Sequence, residues 1–314
     1  MICLLCPSST DCDGSMWTGA RKNASDPATF GLWISGHNSI EALIDDFSST
    51  NRSGHNMAMP GSTVILSGGS AGGIGAFNNV DFVADKLPNS LVLGAPVGGF
   101  PPEVNWYTGK GSTVPDEDAR DSSFWKNEAF WGSYQQEKCV AELSPVNETD
   151  LCTVPYRLYD HLKTPVFIVE AITDAVVMCG FEGLPCKPED LLLADVRDFI
   201  DDYAANFTQS AARLFTDTPR NGLFAASCLM HTGFELTEPL VNGTNAIDAT
   251  FEWYKYHAEQ FQNKGTATRH RDSAKASPNF VWMDTCKDGK YFPPCDAKCP
   301  PTPTEDELSG PYIF

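Results

Sequence analysis

Ser62-Thr-Val-Ile-Leu-Ser-Gly-Gly-Ser-Ala-Gly-Gly-Ile-Gly-Ala76 is the stretch that decides the fold. Val64, Ile65 and Leu66 are a β-branched and aliphatic run long enough for a buried strand. Gly68-Gly69-Ser70-Ala71-Gly72 then fits G-x-S-x-G, and Ala71 to Asp85 can continue as a helix. A strand, a serine between glycines and a helix make the context of a nucleophile elbow. Small flanking residues let strand and helix approach, and the turn projects the serine hydroxyl at a helix N-terminus. There the amide of Ala71 can donate to a developing oxyanion. A phosphate-cradling loop would need Gly-Lys-Ser/Thr after its glycines, and no lysine follows here.

Outward from this turn, 314 residues suffice for one large α/β domain. Hydrophobic residues make up 42 %, yet no apolar run approaches the ~20 residues of a membrane span. A net charge of −19 argues against nucleic acids and anionic membranes as partners, since both call for basic patches.

Eleven cysteines are many for a reduced cytosolic protein. Cys3-x-x-Cys6 and Cys295-x-x-x-Cys299 have zinc-like spacing. Five N-x-Ser/Thr sequons, at Asn23, Asn51, Asn147, Asn206 and Asn242, favour a secreted, N-glycosylated, disulfide-bonded chain instead, with no metal. The opening Met1-Ile-Cys-Leu-Leu-Cys-Pro lacks the basic region and apolar length of a signal peptide. Together with the odd cysteine count, that reads as a chain lacking its N-terminal part.

Alternating elements follow the elbow. Phe30–Ile34 is expected as a short strand, and Ile40–Phe47 as a helix capped by Asn38 or Ser39. Ser90–Leu93 is a strand stopped by Gly94-Ala-Pro-Val-Gly-Gly99. Residues 101–156 read as a loop-rich cap or insertion, and Pro165–Ile172 as the clearest late strand. Pro188 to about Leu214 is an amphipathic helix, continuous or with a break, presenting Leu191, Leu192, Val196, Phe199, Ile200 and Tyr203. Leu223–Ala226 is a strand and Ala246 to about Gln262 a helix. The end, from Ala276, laces the surface. This alternation predicts a mainly parallel α/β sheet in a single domain.

A serine nucleophile needs a base, and the base an orienting acid. In α/β-hydrolase chains the acid and then the histidine follow late strands. Asp174, in Ile172-Thr-Asp-Ala175, stands after the strongest late strand. His231 stands shortly after Leu223–Ala226. A turn-capping aspartate and a core histidine are the plainer readings of each alone. His37 and His55 precede the serine, His161 precedes a strand, His257 lies within a helix, and His270 lies in a basic stretch.

These residues resemble the pectin acetylesterases and the similar animal Notum-type carboxylesterases. Cys12-Asp-Gly-Ser-Met-Trp-Thr-Gly19 looks like the family's CDGSSFTG block, and Leu66-Ser-Gly-Gly-Ser-Ala-Gly-Gly73 its LSGCSAGG elbow. Ala226-Ser-Cys-Leu-Met-His231 resembles NSCFAHC, and Pro294-Cys-Asp-Ala-Lys-Cys299 resembles PCNPTC. The resemblance implies an α/β-hydrolase-like fold and ester hydrolysis through an acyl-serine, without a metal or organic cofactor. It implies Ser70, Asp174 and His231 as the triad, and Asp13, Gly14, Ser15 and Trp17 near the pocket. By resemblance the substrate is an acetylated cell-wall polysaccharide and the protein is secreted; a monomer is expected. A lipid-chain deacylase and a non-catalytic glycoprotein on the same scaffold are the rival readings. The elbow cysteine of the family is Gly69 here, and Thr232-Gly233 replaces its Cys-Gln. The Gly-Gly-Gly-Trp-Cys segment, which supplies further oxyanion amides, has no counterpart.

Overall fold

A computed structural model describes residues 13–24, 29–49, 56–102, 106–112, 128–215, 220–234, 238–264, 279–292, 294, 295 and 299. In chain order the helices and strands are α1 (Gly36–Ser48), β1 (Thr63–Gly69), α2 (Ala71–Lys86), β2 (Leu91–Val97), α3 (Glu128–Trp131), α4 (Glu137–Leu143) and α5 (Pro155–Leu158). They continue as β3 (Phe167–Asp174), α6 (Ala194–Phe215), β4 (Gly222–Met230), α7 (Ala246–Lys264) and β5 (Val281–Met283). The five strands form one sheet in the order β1-β2-β3-β4-β5, every pair parallel.

Strand alternation divides the core between the two faces of the sheet. Ile168, Ile172, Leu223 and Ala225 pack with Phe77, Val80 and Val83 of α2 and with Ala204, Phe207 and Ala211 of α6. Phe167, Val169, Ala171, Phe224 and Ala226 face Ala249 and Trp253 of α7. With both faces covered, every residue of β3 and β4 is buried, which explains their near-continuous apolar sequences. β1, at the edge of the sheet, is only partly covered.

Several sequence expectations need correction. Phe30–Ile34 is not a strand: Phe30 (φ 52°) and Gly31 (φ 82°) make a turn, and residues 32–35 are irregular. α1 begins earlier than Asn38 and carries no side-chain cap, because its start is docked onto the preceding block. The Ser35 hydroxyl donates to Arg21 O, and His37 N to Gly19 O. β2 runs through Gly94 to Val97. Gly94 serves close strand approach, since a Cβ there would lie 2.8 Å from Val166 Cγ1. Leu192 is 68 % exposed, because it falls in a 3-10 turn (Asp190–Leu192) before α6 and off its apolar face. The C-terminal region contributes β5, whose three residues were too few to stand out. Trp125 and the segment 113–127 of the expected cap lie outside the described residues.

Among the described residues, four disulfides join Cys139–Cys152, Cys179–Cys186, Cys228–Cys299 and Cys286–Cys295. Cys295 and Cys299 therefore take different partners and form no shared metal knuckle. Cys3, Cys6 and Cys12 lie outside the described residues.

Candidate active site

Ser70 follows β1 directly and occupies the N-cap position of α2 with φ 56° and ψ −122°. A non-glycine residue with positive φ is costly unless its surroundings hold it. Here Ser70 N donates to Val97 O at 2.8 Å, and Gly73 N and Ile74 N donate to Ser70 O at 2.8 and 3.1 Å. The glycines divide this work unevenly. A Cβ at Gly68 would lie 2.3 Å from Gly72 O, and one at Gly73 would lie 2.8 Å from Val97 O. A Cβ at Gly72 would meet nothing. Close approach thus demands glycine at 68 and 73. Ala71 is the first helical residue, where backbone N–H groups have no intrahelical partner.

Asp174 is the last residue of β3, inside the strand rather than beyond it, and is fully buried. Its Oδ1 accepts from Val177 N at 2.9 Å. Its Oδ2 lies 2.7 Å from His231 Nδ1. β4 extends to Met230, well past Ala226, and the β3–β4 register sets Asp174 opposite Met230. His231 is therefore delivered to the aspartate by the sheet itself. Burial acts to lower the basicity of His231, but the Asp174 charge and hydrogen bond outweigh it, so its pKa is raised above that of an ordinary histidine. Its Nε2 is buried without a hydrogen-bond partner.

The end of β2 lies between the serine and the histidine. Val97 O holds Ser70 N, while Gly98 (φ 59°) lies against His231. A Cβ on Gly98 would stand 2.8 Å from His231 O and 3.3 Å from His231 Cε1. Ser70, Asp174 and His231 thus collect at the carboxyl ends of β1, β3 and β4, where open α/β sheets place their ligands. A shallow cleft of about 230 Å³, lined by Asp81, Ser90, Thr164 and Lys163, lies at the opposite end of the strands.

The Asp13–Thr18 block is an internal staple on α1 and α2. Asp13 Oδ1 accepts from Ser15 N and Oγ at 3.0 and 2.6 Å, and Asp13 Oδ2 accepts from Ser35 N. Ser15 is fully buried and its Oγ also accepts from Gly19 N. Gly14 turns with φ 68°, and Trp17 packs its Cβ over Gly75 of α2. His37 bonds Asn79 Oδ1 and stacks on Tyr134, and His257 donates to Arg220 O. His55 and His270 lie outside the described residues.

Glu170 and Gly98 escaped sequence reading. Glu170 did leave a signal: a lone acid in the apolar run Val166-Phe-Ile-Val-Glu-Ala-Ile172.

A parallel sheet with a strained serine between strand and helix, and an aspartate–histidine pair at the ends of later strands, defines an α/β-hydrolase-like protein. The family model described as Pectinacetylesterase matches residues 10–272, and the chain belongs to that family. It is 26 % identical to palmitoleoyl-protein carboxylesterase notum1 of Xenopus laevis over 249 residues, 76 % of this chain and 46 % of the relative. It is 23 % identical to pectin acetylesterase 5 of Arabidopsis thaliana over 273 residues, 77 % of this chain and 57 % of the relative. The chain thus spans about half the length of the curated relatives it matches. The solved structure of the Wnt deacylase Notum from Drosophila aligns with a TM-score of 0.67 at 21 % identity, covering 92 % of this chain and 72 % of that one.

Proposed function

We propose that this chain carries the active centre of a serine carboxylic-ester hydrolase. The observation that carries this reading is the Asp174–His231 hydrogen bond, with His231 Nε2 buried and unpartnered at the same strand ends as the Ser70 elbow. Ser70 Oγ attacks the ester carbonyl as His231 Nε2 takes its proton, and Asp174 stabilises the imidazolium. The Ala71 amide donates to the oxyanion. His231 then protonates the leaving alcohol, and water repeats the sequence on the acyl-serine.

The substrate we assign is an O-acetyl group on a weakly charged cell-wall polysaccharide, since a chain of net charge −19 repels polyanions. Asp13, Gly14, Ser15 and Trp17, packed against α1 and α2, support the elbow near the substrate pocket. The protein acts as a secreted monomer. Its cystines favour an oxidising compartment, and the sequon residues Asn23, Asn147, Asn206 and Asn242 are all exposed. Asn51 lies outside the described residues. A lipid-chain deacylase is the second reading, favoured by the relatives named as palmitoleoyl-protein carboxylesterases.

Hydrolysis of p-nitrophenyl acetate and p-nitrophenyl octanoate, with Ser70→Ala as control, separates the readings. Ser70-dependent turnover favouring acetate supports deacetylation, and a preference for octanoate moves the assignment to lipid chains. No turnover and no fluorophosphonate labelling of Ser70 would leave a non-catalytic glycoprotein.

A further inference from the structure

Four residues before Asp174, on the same buried strand, stands Glu170, only 2 % exposed. Its two carboxyl oxygens are each pinned by a backbone donor: Phe100 N reaches Oε2 at 2.7 Å, and Ala171 N reaches Oε1 at 3.1 Å. The same carboxyl shares a hydrogen bond with Asp174. Asp174 is itself held by Val177 N and faces His231. Two carboxyl groups can share a hydrogen bond only if one carries a proton.

We propose that Glu170 is a positioning residue for the Asp174–His231 pair, donating its O–H to Asp174 and so fixing the carboxylate that orients the imidazole. This rests on the triad reading above. The donor set explains why an acid stands here. A neutral carboxylic acid accepts at both oxygens and still donates once, which matches two backbone N–H groups and one carboxylate. A glutamine could donate to Asp174, but its NH₂ would face one of the two backbone N–H groups. An alkyl side chain would leave both N–H groups buried and unpaired.

The surroundings keep the proton on Glu170. Burial first, and the Asp174 charge second, hold this carboxyl well above the usual carboxylate range, against the two backbone donors. The titratable groups around it are Asp174 on its own strand, Tyr203 from α6, Glu182 beyond the turn after β3, and His231 past Asp174. Burial first, and then the carboxyls Asp174, Glu170 and Glu182, raise the Tyr203 phenol. Ionisation of Glu170 would remove the donor and set a second negative charge beside Asp174. That charge would raise the basicity of His231 and loosen the aspartate.

The test compares the wild-type chain with Glu170→Gln and Glu170→Leu by two readouts. The first is kcat and KM for p-nitrophenyl acetate against pH. Glu170→Gln keeps a donor to Asp174, so its kcat stays close to that of the wild type across the profile. Glu170→Leu lowers kcat by about 10²-fold with KM unchanged. The second is the downfield proton resonance of His231 Nδ1–H, identified by its loss in His231→Ala, and it needs no turnover. It stays in place in Glu170→Gln, which still donates to Asp174, and moves or broadens in Glu170→Leu, which does not. Wild-type kcat with an unmoved resonance in Glu170→Leu, or equal losses in Glu170→Gln and Glu170→Leu, overturns the proposal. If the wild type lacks Ser70-dependent turnover, the hydrolase reading fails and the resonance still judges Glu170. If Glu170→Leu does not fold, Glu170→Met, which likewise cannot donate, takes its place in both readouts.

Discussion

Nδ1 of His231 sits 2.7 Å from Oδ2 of Asp174, while the opposite ring nitrogen is buried with nothing to bond. One nitrogen is thus fixed as donor and the other is left free as acceptor, the tautomer a general base requires. Asp174→Asn keeps the shape but presents an amide to Nδ1. In p-nitrophenyl acetate hydrolysis it is expected to lower kcat by ~10⁴-fold with KM little changed. An effect under tenfold would remove Asp174 from the proposed triad.

In the proposed mechanism the raised pKa of His231 sets the acid limb of hydrolysis. Only neutral imidazole takes the serine proton, so kcat/KM falls as pH drops through the histidine pKa. Because the Asp174 charge and bond outweigh burial, this limb is expected above the ordinary histidine range of about 6.5. A limb at or below that range in a full pH–rate profile counts against the pairing.

Gly98 joins the end of β2 to the histidine. Alanine there must adopt φ 59° and place a Cβ 2.8 Å from His231 O. Gly98→Ala is expected to cost about 1–3 kcal/mol in urea unfolding and to lower kcat at least about tenfold as His231 shifts. A stable variant with full activity would show that this contact does not position the histidine.

Burial raises Glu182 to about 7, and its Oε2 is buried without a partner. Between the unfolded value near 4.5 and about 7, the folded protein keeps a proton that the unfolded chain has released. Stability therefore declines with rising pH across that window. Glu182→Gln removes this slope and is expected to stabilise the protein by up to about 3 kcal/mol above pH 7, with a smaller gain at pH 5. Equal gains at both pH values in urea titrations would assign the effect elsewhere.

Cys228–Cys299 closes a sequence separation of 71 residues, anchoring the C-terminal region to β4 three positions before His231. By loop entropy this cross-link contributes about 4 kcal/mol. A Cys228→Ala/Cys299→Ala variant is expected to lose stability on that order, read as a lower urea midpoint.

The elbow was legible because strand, turn and helix are contiguous, and each glycine demand is local. Asp174 and His231 were legible as strand-end residues, although β4 runs four residues past its expected end at Ala226. That extension comes from pairing with β3, a tertiary effect invisible in local composition. The uncapped start of α1 depends on Asp13 and Ser35, twenty-two residues apart. Glu170 shows the limit most clearly. Its strand was readable, but the donor Phe100 N, 70 residues away in sequence, was not.

The sequential strand order also bears on how the chain matures. Asp174 and His231 are 57 residues apart, and Ser70 comes from a still earlier βα unit. Parallel pairings of this span close large loops before they gain contacts, so they form late and slowly. No partly folded fragment can hold all three side chains together. Reactivity of Ser70 toward a fluorophosphonate during refolding would then appear only with closure of the β3–β4 pair, making the serine a clock for the last step of assembly.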